Sequence, residues 1–420
     1  MHQLSTECVI AGGGPAGMTL GFLLARAGID VTVLEKHRDF LRDFRGDTVH
    51  PSTLEVMHEL GLLEKFLKLP HTRIAKGTIE IGDRQFVIGD FSRLPTTCKF
   101  IALMPQWDFL NFLADEAKTF PNFHLRMQTR ADDLLIENGT VTGVTAMGPE
   151  GPLAIRAGLA VAADGRTSTL RERSGLAVDD LGAPFDVLWL RLPVLPGDPA
   201  DLVGKIKGGQ LFVMIHRMDY WQCAYLIPKG GFETIKAAGL AKFRDRLKQI
   251  AGFAAGRIDD AITDFDQIKL LTVTVDRLQE WARPGFLCIG DAAHAMSPIG
   301  GVGINLAIQD AVATANLLGP ILRKGVPDFA ALKTVQARRN FPTKVIQAFQ
   351  VAAQNRILAP TLQSTKTPEP PLFVKLLDGW PWLRQFPARF IGMGPRPEHV
   401  TLQKKKMDPL PSALDAPRRG

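Results

Sequence analysis

The sequence predicts an α/β fold in which a mainly parallel sheet carries an inserted antiparallel sheet and is followed by a C-terminal helical segment. Residues 8–34 alternate strand, glycine turn, helix and strand, the order of a βαβ unit. Residues 188–192, 211–215 and 220–227 are strand-like runs between Pro- and Gly-rich turns, which is typical of an antiparallel sheet. Strand and helix alternate again from about residue 270, so the first domain is discontinuous in sequence.

Each element of the opening unit has its own sequence signal. Residues 8–11 are an apolar strand, and the next strand is expected at residues 29–34. Between them, apolar residues recur at helical spacing, and Gly28 is placed to end the helix. Residues 268–275 and 286–289 are further predicted strands, and a helix follows residue 303.

These elements predict three parts of the chain. Residues 1–75, 100–180 and 270–358 form a nucleotide-binding domain, and residues 76–99 and 181–269 form a β-sheet domain that binds substrate. Residues 359–420 form a linker, a C-terminal segment and a tail, because Pro, Thr and Ser are dense at residues 359–371. The apolar stretch at residues 373–390 is expected to pack back on the core, and the alternative is a peripheral membrane foot.

Composition excludes several classes of protein. The chain has 420 residues, of which 45% are hydrophobic and 22% charged, so disorder and disulfide-stapled miniproteins are excluded. The net charge of +7 suits anionic ligands, but the basic residues form no dense stripe for nucleic acid. The four cysteines are far apart and no run of 18 apolar residues occurs, so we expect a cytoplasmic protein without membrane contact and without a metal site.

A glycine turn follows the first strand and opens the helix. Gly12, Gly14 and Gly17 have the spacing that permits a tight turn, a close approach of the backbone to a pyrophosphate and close packing of helix on strand. Glu35 ends the second strand, where an acid can accept hydrogen bonds from ribose hydroxyls. The turn therefore predicts dinucleotide binding, but it does not distinguish FAD from NAD.

A second glycine-rich stretch follows the strand at residues 286–289. Asp291 stands in a tight turn where it could hold sugar or ribityl hydroxyls, and residues 300–303 precede a helix. The N-terminus of that helix would stabilise negative charge on a reduced flavin ring. The alternative, a glycine turn that caps an ordinary helix, explains the glycines but not the whole ordered string.

With these motifs the chain resembles the group A FAD-dependent monooxygenases, the aromatic hydroxylases of the p-hydroxybenzoate hydroxylase-like superfamily. The resemblance rests on the turn at residues 12–17 with Glu35, on a D-G motif at residues 163–168, and on a G-D-A-A-H-x-x-x-P motif at residues 290–298. It covers residues 5–365 and implies a Rossmann-like FAD-binding domain of the GR2 type. No second glycine fingerprint follows a strand, so no separate NAD(P)H domain is expected. In that family the nicotinamide visits the flavin transiently, and the alternative is an external reductase.

The resemblance also implies which residues contact FAD. In that family, Asp291 binds the ribityl chain, Pro298 lies beside the isoalloxazine, and residues 301–304 contact its pyrimidine edge. For Arg45 and Gln106 the alternatives are a surface charge and a polar residue at a helix start, and His294 is expected to be structural. The predicted cofactor-binding residues are Gly12, Gly14, Pro15, Ala16, Gly17, Glu35, Lys36, Arg42, Arg45, Gln106, Asp164, Asp291, Pro298, Gly301, Gly303 and Ile304.

The implied activity is hydroxylation of an aromatic or polycyclic phenolic substrate by O₂ through a flavin hydroperoxide, with NAD(P)H as the reductant. The alternatives are a non-hydroxylating FAD reductase or dehydrogenase of an isoprenoid or polyketide, and a carrier without catalytic activity. The sequence does not identify a catalytic side chain. Substrate-contacting candidates come from the antiparallel sheet, whose alternate residues would face the flavin: His216, Arg217, Tyr220, Trp221, Gln222 and Tyr225.

Overall fold

The computed structural model describes residues 2–41, 48–199 and 203–405. These residues form 20 strands: β1 (His2–Ala11), β2 (Val31–Leu34), β3 (Thr48–Val49), β4 (Thr72–Ile74), β5 (Lys76–Ile81), β6 (Arg84–Asp90), β7 (Ile101–Leu103), β8 (Phe123–Arg126), β9 (Arg130–Glu137), β10 (Thr140–Gly148), β11 (Gly151–Ala162), β12 (Val178–Asp180), β13 (Phe185–Pro193), β14 (Val203–Lys207), β15 (Gln210–His216), β16 (Tyr220–Pro228), β17 (Lys269–Leu271), β18 (Asp276–Leu278), β19 (Ala282–Arg283) and β20 (Phe286–Cys288). They also form 13 α-helices: α1 (Pro15–Arg26), α2 (Pro51–Glu59), α3 (Leu63–Phe66), α4 (Gln106–Ala117), α5 (Thr169–Ser174), α6 (Phe232–Ala238), α7 (Leu240–Ala251), α8 (Ile258–Ala261), α9 (Gly303–Leu322), α10 (Phe329–Ala353), α11 (Ala359–Gln363), α12 (Leu372–Gly379) and α13 (Gln385–Met393).

The first sheet has eight strands and is built around the predicted βαβ unit. Its main order is β19-β20-β11-β1-β2-β8, and β10 and β9 extend it from β11. Strands β20, β11, β1, β2 and β8 are parallel. Strand β1 is longer than expected because it pairs with β11 along almost its whole length. Helix α1 packs on the sheet, α9 and α4 pack on α1, and α10 packs on α9. The carboxyl halves of the central strands β1, β2 and β11 are buried on both faces.

The second sheet has seven strands in the order β17-β13-β16-β15-β14-β5-β6. Its strands are antiparallel, except that β14 and β5 are parallel. One face packs against α6, α7 and α8 through a cluster that includes Phe212, Trp221 and Tyr225. The opposite face packs against Ile299 of the second glycine-rich stretch through a cluster that includes Val187 and Ala224. The inserted antiparallel sheet is therefore present, and one of its faces lies toward the first domain.

The C-terminal helices pack back on the second sheet. Val374 of α12 contacts Ile81 and Phe86, while Ala388 of α13 contacts Phe91. We refer to residues 394–405, which follow α13, as the final segment. Its Lys405 N–H donates to the Arg26 carbonyl at 3.1 Å, which returns the chain to the end of α1. The mixed α/β fold with a C-terminal helical segment is thus confirmed, whereas the exact domain boundaries stay a prediction.

Two predicted elements differ in the structure. The expected strand at residues 268–275 ends at Leu271, because side chains take the backbone groups that would continue it. The Val273 N–H donates to Asp186, and the Val273 carbonyl accepts from Lys229. The start of the expected linker is helical instead: α10 runs through a π-turn at Gln354–Leu358 into α11. Pro360 comes just after the π-turn, where it has no N–H to continue the helical hydrogen bonds.

Candidate active site

The ends of four parallel strands lie in one row at the carboxyl edge of the first sheet. Ala11 of β1 pairs with Leu34 of β2 and with Ala162 of β11, and Ala162 pairs with Cys288 of β20. Each strand is followed at once by one of the predicted motifs. Register alone therefore gathers the first glycine turn, Glu35, the D-G motif and the G-D motif, at the edge where open α/β sheets bind their ligands.

The first glycine turn has the three properties that its spacing predicts. Gly12 has φ = +106°, and a Cβ there would lie 2.3 Å from the Ala163 carbonyl oxygen. A Cβ on Gly17 would lie 1.9 Å from the Gly12 carbonyl oxygen, whereas a Cβ on Gly14 would meet nothing within 4 Å. Gly14 precedes α1, which begins with Pro15 and has no side-chain cap and no acidic residue in its first turn. Space and a partial positive charge thus coincide at Gly14.

Glu35 accepts hydrogen bonds from backbone N–H groups that follow two neighbouring strands, β1 and β2. Its Oε2 accepts the Gly13 N–H at 3.1 Å, and its Oε1 accepts the His37 N–H at 2.9 Å. The side chain is buried beside the glycine turn, and each carboxylate oxygen has capacity for more than one hydrogen bond. Glu35 therefore fixes the turn and presents an acceptor at the end of β2.

Asp164 follows β11 and organises its own turn. It accepts hydrogen bonds from the Ser168 hydroxyl and from the Leu170 N–H, the latter at 3.3 Å. Burial raises the pKa of the Asp164 carboxyl above its usual value, and these hydrogen bonds act in the opposite direction. The same turn aims Arg166 at the neighbouring motif, where its Nη2 lies 3.4 Å from Asp291 Oδ2.

Arg166 is a site residue that sequence reasoning missed. Its side chain and that of Asp291 are 23% and 30% exposed, so both can reach a ligand as well as each other. No described residue hydrogen-bonds the buried Arg166 Nη1. The available signal was its place two residues after Asp164 in the D-G motif.

The second glycine-rich stretch is held against β3 by an amide. Asn305 donates from Nδ2 to the Thr48 carbonyl at 3.0 Å and to the Gly301 carbonyl at 3.3 Å. Its Oδ1 accepts from the His50 N–H and from the Thr53 hydroxyl, at 2.9 and 2.8 Å. Gly301 has φ = +62°, and a Cβ there would lie 2.5 Å from Thr48 Oγ1. Asn305 is a second residue that sequence reasoning missed.

Helix α13 covers this stretch. The Ile391 side chain lies 2.9 Å from the position of a Cβ on Gly300, and the Ile391 carbonyl lies 2.8 Å from His50 Nδ1. Burial lowers the pKa of His50 to about 4, and the hydrogen bond to Ile391 partly offsets that effect. His50 is therefore neutral at pH 7 and donates from Nδ1. The half-buried residues Pro298, Gly303 and Ile304 lie on the same stretch.

His294 lies below the row and does not reach solvent. It is 1% exposed, and its Nε2 is 2.6 Å from Asp310 Oδ2. Burial alone would raise the pKa of Asp310, but the charges and hydrogen bonds of His294 and Arg339 outweigh burial and hold that pKa below its usual value. These contacts fit the structural role expected for His294.

The remaining predicted residues are less informative. Lys36 is exposed just after Glu35, Ala16 is buried in the first turn of α1, and Gln106 is half-buried at the start of α4. Arg42 and Arg45 lie outside the described residues. Their contacts with a cofactor stay a prediction.

The second sheet divides the six substrate-contacting candidates between its faces. Trp221 and Tyr225 belong to the cluster under α6 and α7 and point away from the first domain. The His216 ring makes an edge contact with Trp221 at 4.9 Å. Gln222 lies opposite Ile215, which packs with Ile74 and Leu103 on the other face. Arg217 donates to Gln222 Oε1 from Nε and Nη2, at 3.2 and 3.1 Å.

The residues of this row fit FAD. Open space at Gly14 and the uncapped N-terminus of α1 suit a pyrophosphate, and Asp291 is an acceptor for hydroxyl groups. The buried Arg166 Nη1 adds a cationic donor without a hydrogen-bond partner among the described residues. Within the same residues, no group of three or more His, Cys, Asp or Glu is placed to hold a metal ion. No helix of the described ranges is long and apolar enough to cross a membrane.

Comparison with known proteins identifies the family. Residues 5–348 match the model of the FAD binding domain. The chain is 33% identical over 355 residues to 6-methylpretetramide 4-monooxygenase of Streptomyces rimosus, covering 84% of this chain and 85% of that protein. It is 26% identical to para-nitrophenol 4-monooxygenase of Pseudomonas sp. strain WBC-3, covering 76% and 78%. The crystal structure of PqsL, a probable FAD-dependent monooxygenase from Pseudomonas aeruginosa, superposes with a TM-score of 0.72 at 22% identity, covering 86% and 98%. The resemblance drawn from the three motifs is confirmed: the chain belongs to the FAD-binding family of aromatic monooxygenases and is an FAD-dependent oxidoreductase.

Proposed function

We propose that this enzyme hydroxylates a polycyclic phenolic compound of the polyketide type, using O₂ and a nicotinamide nucleotide as reductant. The observation that carries the proposal is the apolar wall that the second sheet turns toward the glycine-rich stretch. Val213 and Trp189 of this sheet pack in one cluster with Ile299 of the stretch. They also pack with Ile215, Ile74 and Leu103 in the adjoining cluster. A flat fused-ring substrate would bury its faces against such a wall. The 33% identity to 6-methylpretetramide 4-monooxygenase supports the same class.

FAD would be held by the row of strand ends. The N–H groups at the start of α1 would bind its pyrophosphate, Glu35 its ribose, and Asp291 with Arg166 its ribityl and phosphate groups. Bound FAD supplies electron transfer and the activation of O₂. Asn305 fixes the stretch at Gly301, so that the N-terminus of α9 lies where negative charge would develop.

Gln222 is the polar group that we assign to substrate. It is 2% exposed and lies on the face of the second sheet that carries Ile215 and Ala224. Arg217 holds its Oε1, which orients the amide nitrogen as a donor. Such a donor is suited to a phenolic or quinone oxygen within an otherwise apolar wall.

The test is substrate-stimulated oxidation of NADH or NADPH by the FAD-loaded protein, followed by mass spectrometry of the product formed under ¹⁸O₂. We expect a fused-ring phenol to accelerate oxidation more than para-nitrophenol does, with one ¹⁸O atom in the product. Product without ¹⁸O would support the reductase or dehydrogenase alternative. A colourless protein that does not bind FAD would support the carrier alternative.

A further inference from the structure

A buried carboxylate lies directly under the G-D turn. Asp310 of α9 is 0% exposed and accepts three hydrogen bonds. They come from the Gly290 N–H at 3.0 Å, from His294 Nε2 at 2.6 Å and from Arg339 Nε at 2.9 Å. The first two donors belong to the motif that includes Asp291. Asp310 therefore contacts the turn at two points, Gly290 before Asp291 and His294 after it.

The contacts continue from Asp310 to the final segment. Arg339 of α10 is 0% exposed, and its Nη1 donates to Glu398 Oε1 at 3.1 Å. The same oxygen accepts from Arg338 Nε at 2.8 Å, and Arg339 Nη1 also lies 3.3 Å from the Arg396 carbonyl. Glu398 is 6% exposed. A continuous buried path of charged groups thus joins residue 398 to residue 290.

The position of the turn is tightly limited. Gly290 has φ = +58°, and a Cβ there would lie 3.1 Å from Ala16 Cβ and 3.2 Å from Ala307 Cβ. The turn therefore lies between α1 and α9 with little free space. A buried charge that loses one partner must move toward another or toward water, because an uncompensated charge in a low dielectric is costly. Any such movement of Asp310 would displace Gly290 and with it Asp291.

We propose that Asp310, Arg339 and Glu398 are positioning residues that set the place of the cofactor-binding Asp291, and that the final segment thereby controls FAD affinity. None of the three touches FAD in this proposal; each acts through the next. The inference rests on the proposed cofactor site at Asp291. It assigns a role in binding to a residue 107 positions after Asp291, outside the matched family region at residues 5–348.

The main test is FAD titration of the full-length apoprotein carrying Glu398→Gln, with flavin fluorescence and visible circular dichroism as readouts. Neutralising the carboxylate that accepts from Arg339 and Arg338 should weaken FAD binding about tenfold and change the dichroism of the bound flavin. The matched control is Asp198→Asn, which weakens the Arg257–Asp198 pair at 2.6 Å in the second-sheet region. It should lower the thermal midpoint and leave FAD affinity within about twofold of the wild type.

A second set of variants separates positioning from simple loss of stability. Arg339→Lys keeps the charge and should retain more FAD affinity than Arg339→Gln. The thermal midpoints of both variants are measured alongside, so that a difference in FAD affinity can be separated from a difference in stability. Equal FAD affinity and dichroism in the wild type and in Glu398→Gln would overturn the proposal. If the wild type itself bound no FAD, the proposed function would fail instead, so the two failures are distinguishable.

Discussion

At the scale of single residues, two glycines of the first turn differ in the space around them. A Cβ on Gly14 meets nothing within 4 Å, and its φ of −78° suits any residue, whereas a Cβ on Gly17 would clash with the Gly12 carbonyl at 1.9 Å. Gly14→Ala should leave the apoprotein as stable or slightly more stable but weaken FAD binding at least tenfold, because the methyl group would occupy the space of the pyrophosphate.

Gly17→Ala should instead destabilise the apoprotein and lower its unfolding free energy by about 2 kcal/mol. Thermal unfolding of both apoproteins, with FAD titration of Gly14→Ala, checks the pair. Unchanged FAD affinity in Gly14→Ala would contradict the assignment of the pyrophosphate to this turn.

His50 predicts a pH dependence. Its pKa is lowered from 6.5 to about 4 by burial, so the unfolded chain binds a proton that the folded chain does not. The contribution of neutral His50 to the unfolding free energy is fully present above pH 6.5. It decreases as the pH falls from 6.5 to about 4, and it changes no further below pH 4. At 1.36 kcal/mol per pH unit the loss is about 3 kcal/mol.

The variant His50→Gln keeps an amide donor near the Ile391 carbonyl but has no titrating ring. Denaturant unfolding of both apoproteins between pH 7 and pH 4 should therefore show a smaller loss in the variant. Parallel loss in both proteins would rule out His50 as the source.

At the scale of elements, α12 and α13 close the outer edge of the second sheet. Val374 is 2% exposed against Ile81 and Phe86, while its neighbour Phe373 is 49% exposed. Val374→Asp should destabilise the protein by about 3 kcal/mol or more, because it buries a charge without a partner. Phe373→Asp should stay within about 0.5 kcal/mol of the wild type. Chemical denaturation compares the two, and equal losses would show that α12 does not pack through Val374.

Elements held by neighbouring residues were predictable from the sequence, and elements held by distant residues were not. The turn at Gly12, Gly14 and Gly17 depends on strand and helix signals within 30 residues. The parallel pairing of β5 with β14 joins Thr78 to Val203 and has no local signature. The contacts of Arg166 with Asp291 and of Arg339 with Glu398 likewise become visible only when the chain is folded.

At the scale of the whole molecule, the final segment joins helices that are far apart in sequence. The Leu402 carbonyl accepts from Arg26 Nη1 at 3.2 Å, and the Gln403 carbonyl accepts from Arg323 at 2.6 Å. The Leu402 side chain is 5% exposed and lies 2.7 Å from the position of a Cβ on Gly319. The segment thus joins the C-terminal ends of α1 and α9, two helices whose N-terminal ends lie at the candidate cofactor site.

A chain that ends after Gly394 should therefore unfold at a lower temperature and bind FAD more weakly. Arg339 would lose its partner Glu398, and the surface at Gly319 that Leu402 covers would become exposed. A synthetic peptide of residues 395–405, added at high concentration, should restore part of the FAD affinity. A peptide with Glu398 replaced by Gln is the matched control. Equal rescue by both peptides would assign the effect to Leu402 and its neighbours alone.

The row of strand ends also has a consequence for biosynthesis. Its four members end at Ala11, Leu34, Ala162 and Cys288, so β20 is made long after the other three strands. During translation the row of four strand ends is complete only after residue 288 has left the exit tunnel, because β20 is the last of the four strands to be made. The complete candidate site, which includes Asp291, is therefore available to FAD only from that stage onward.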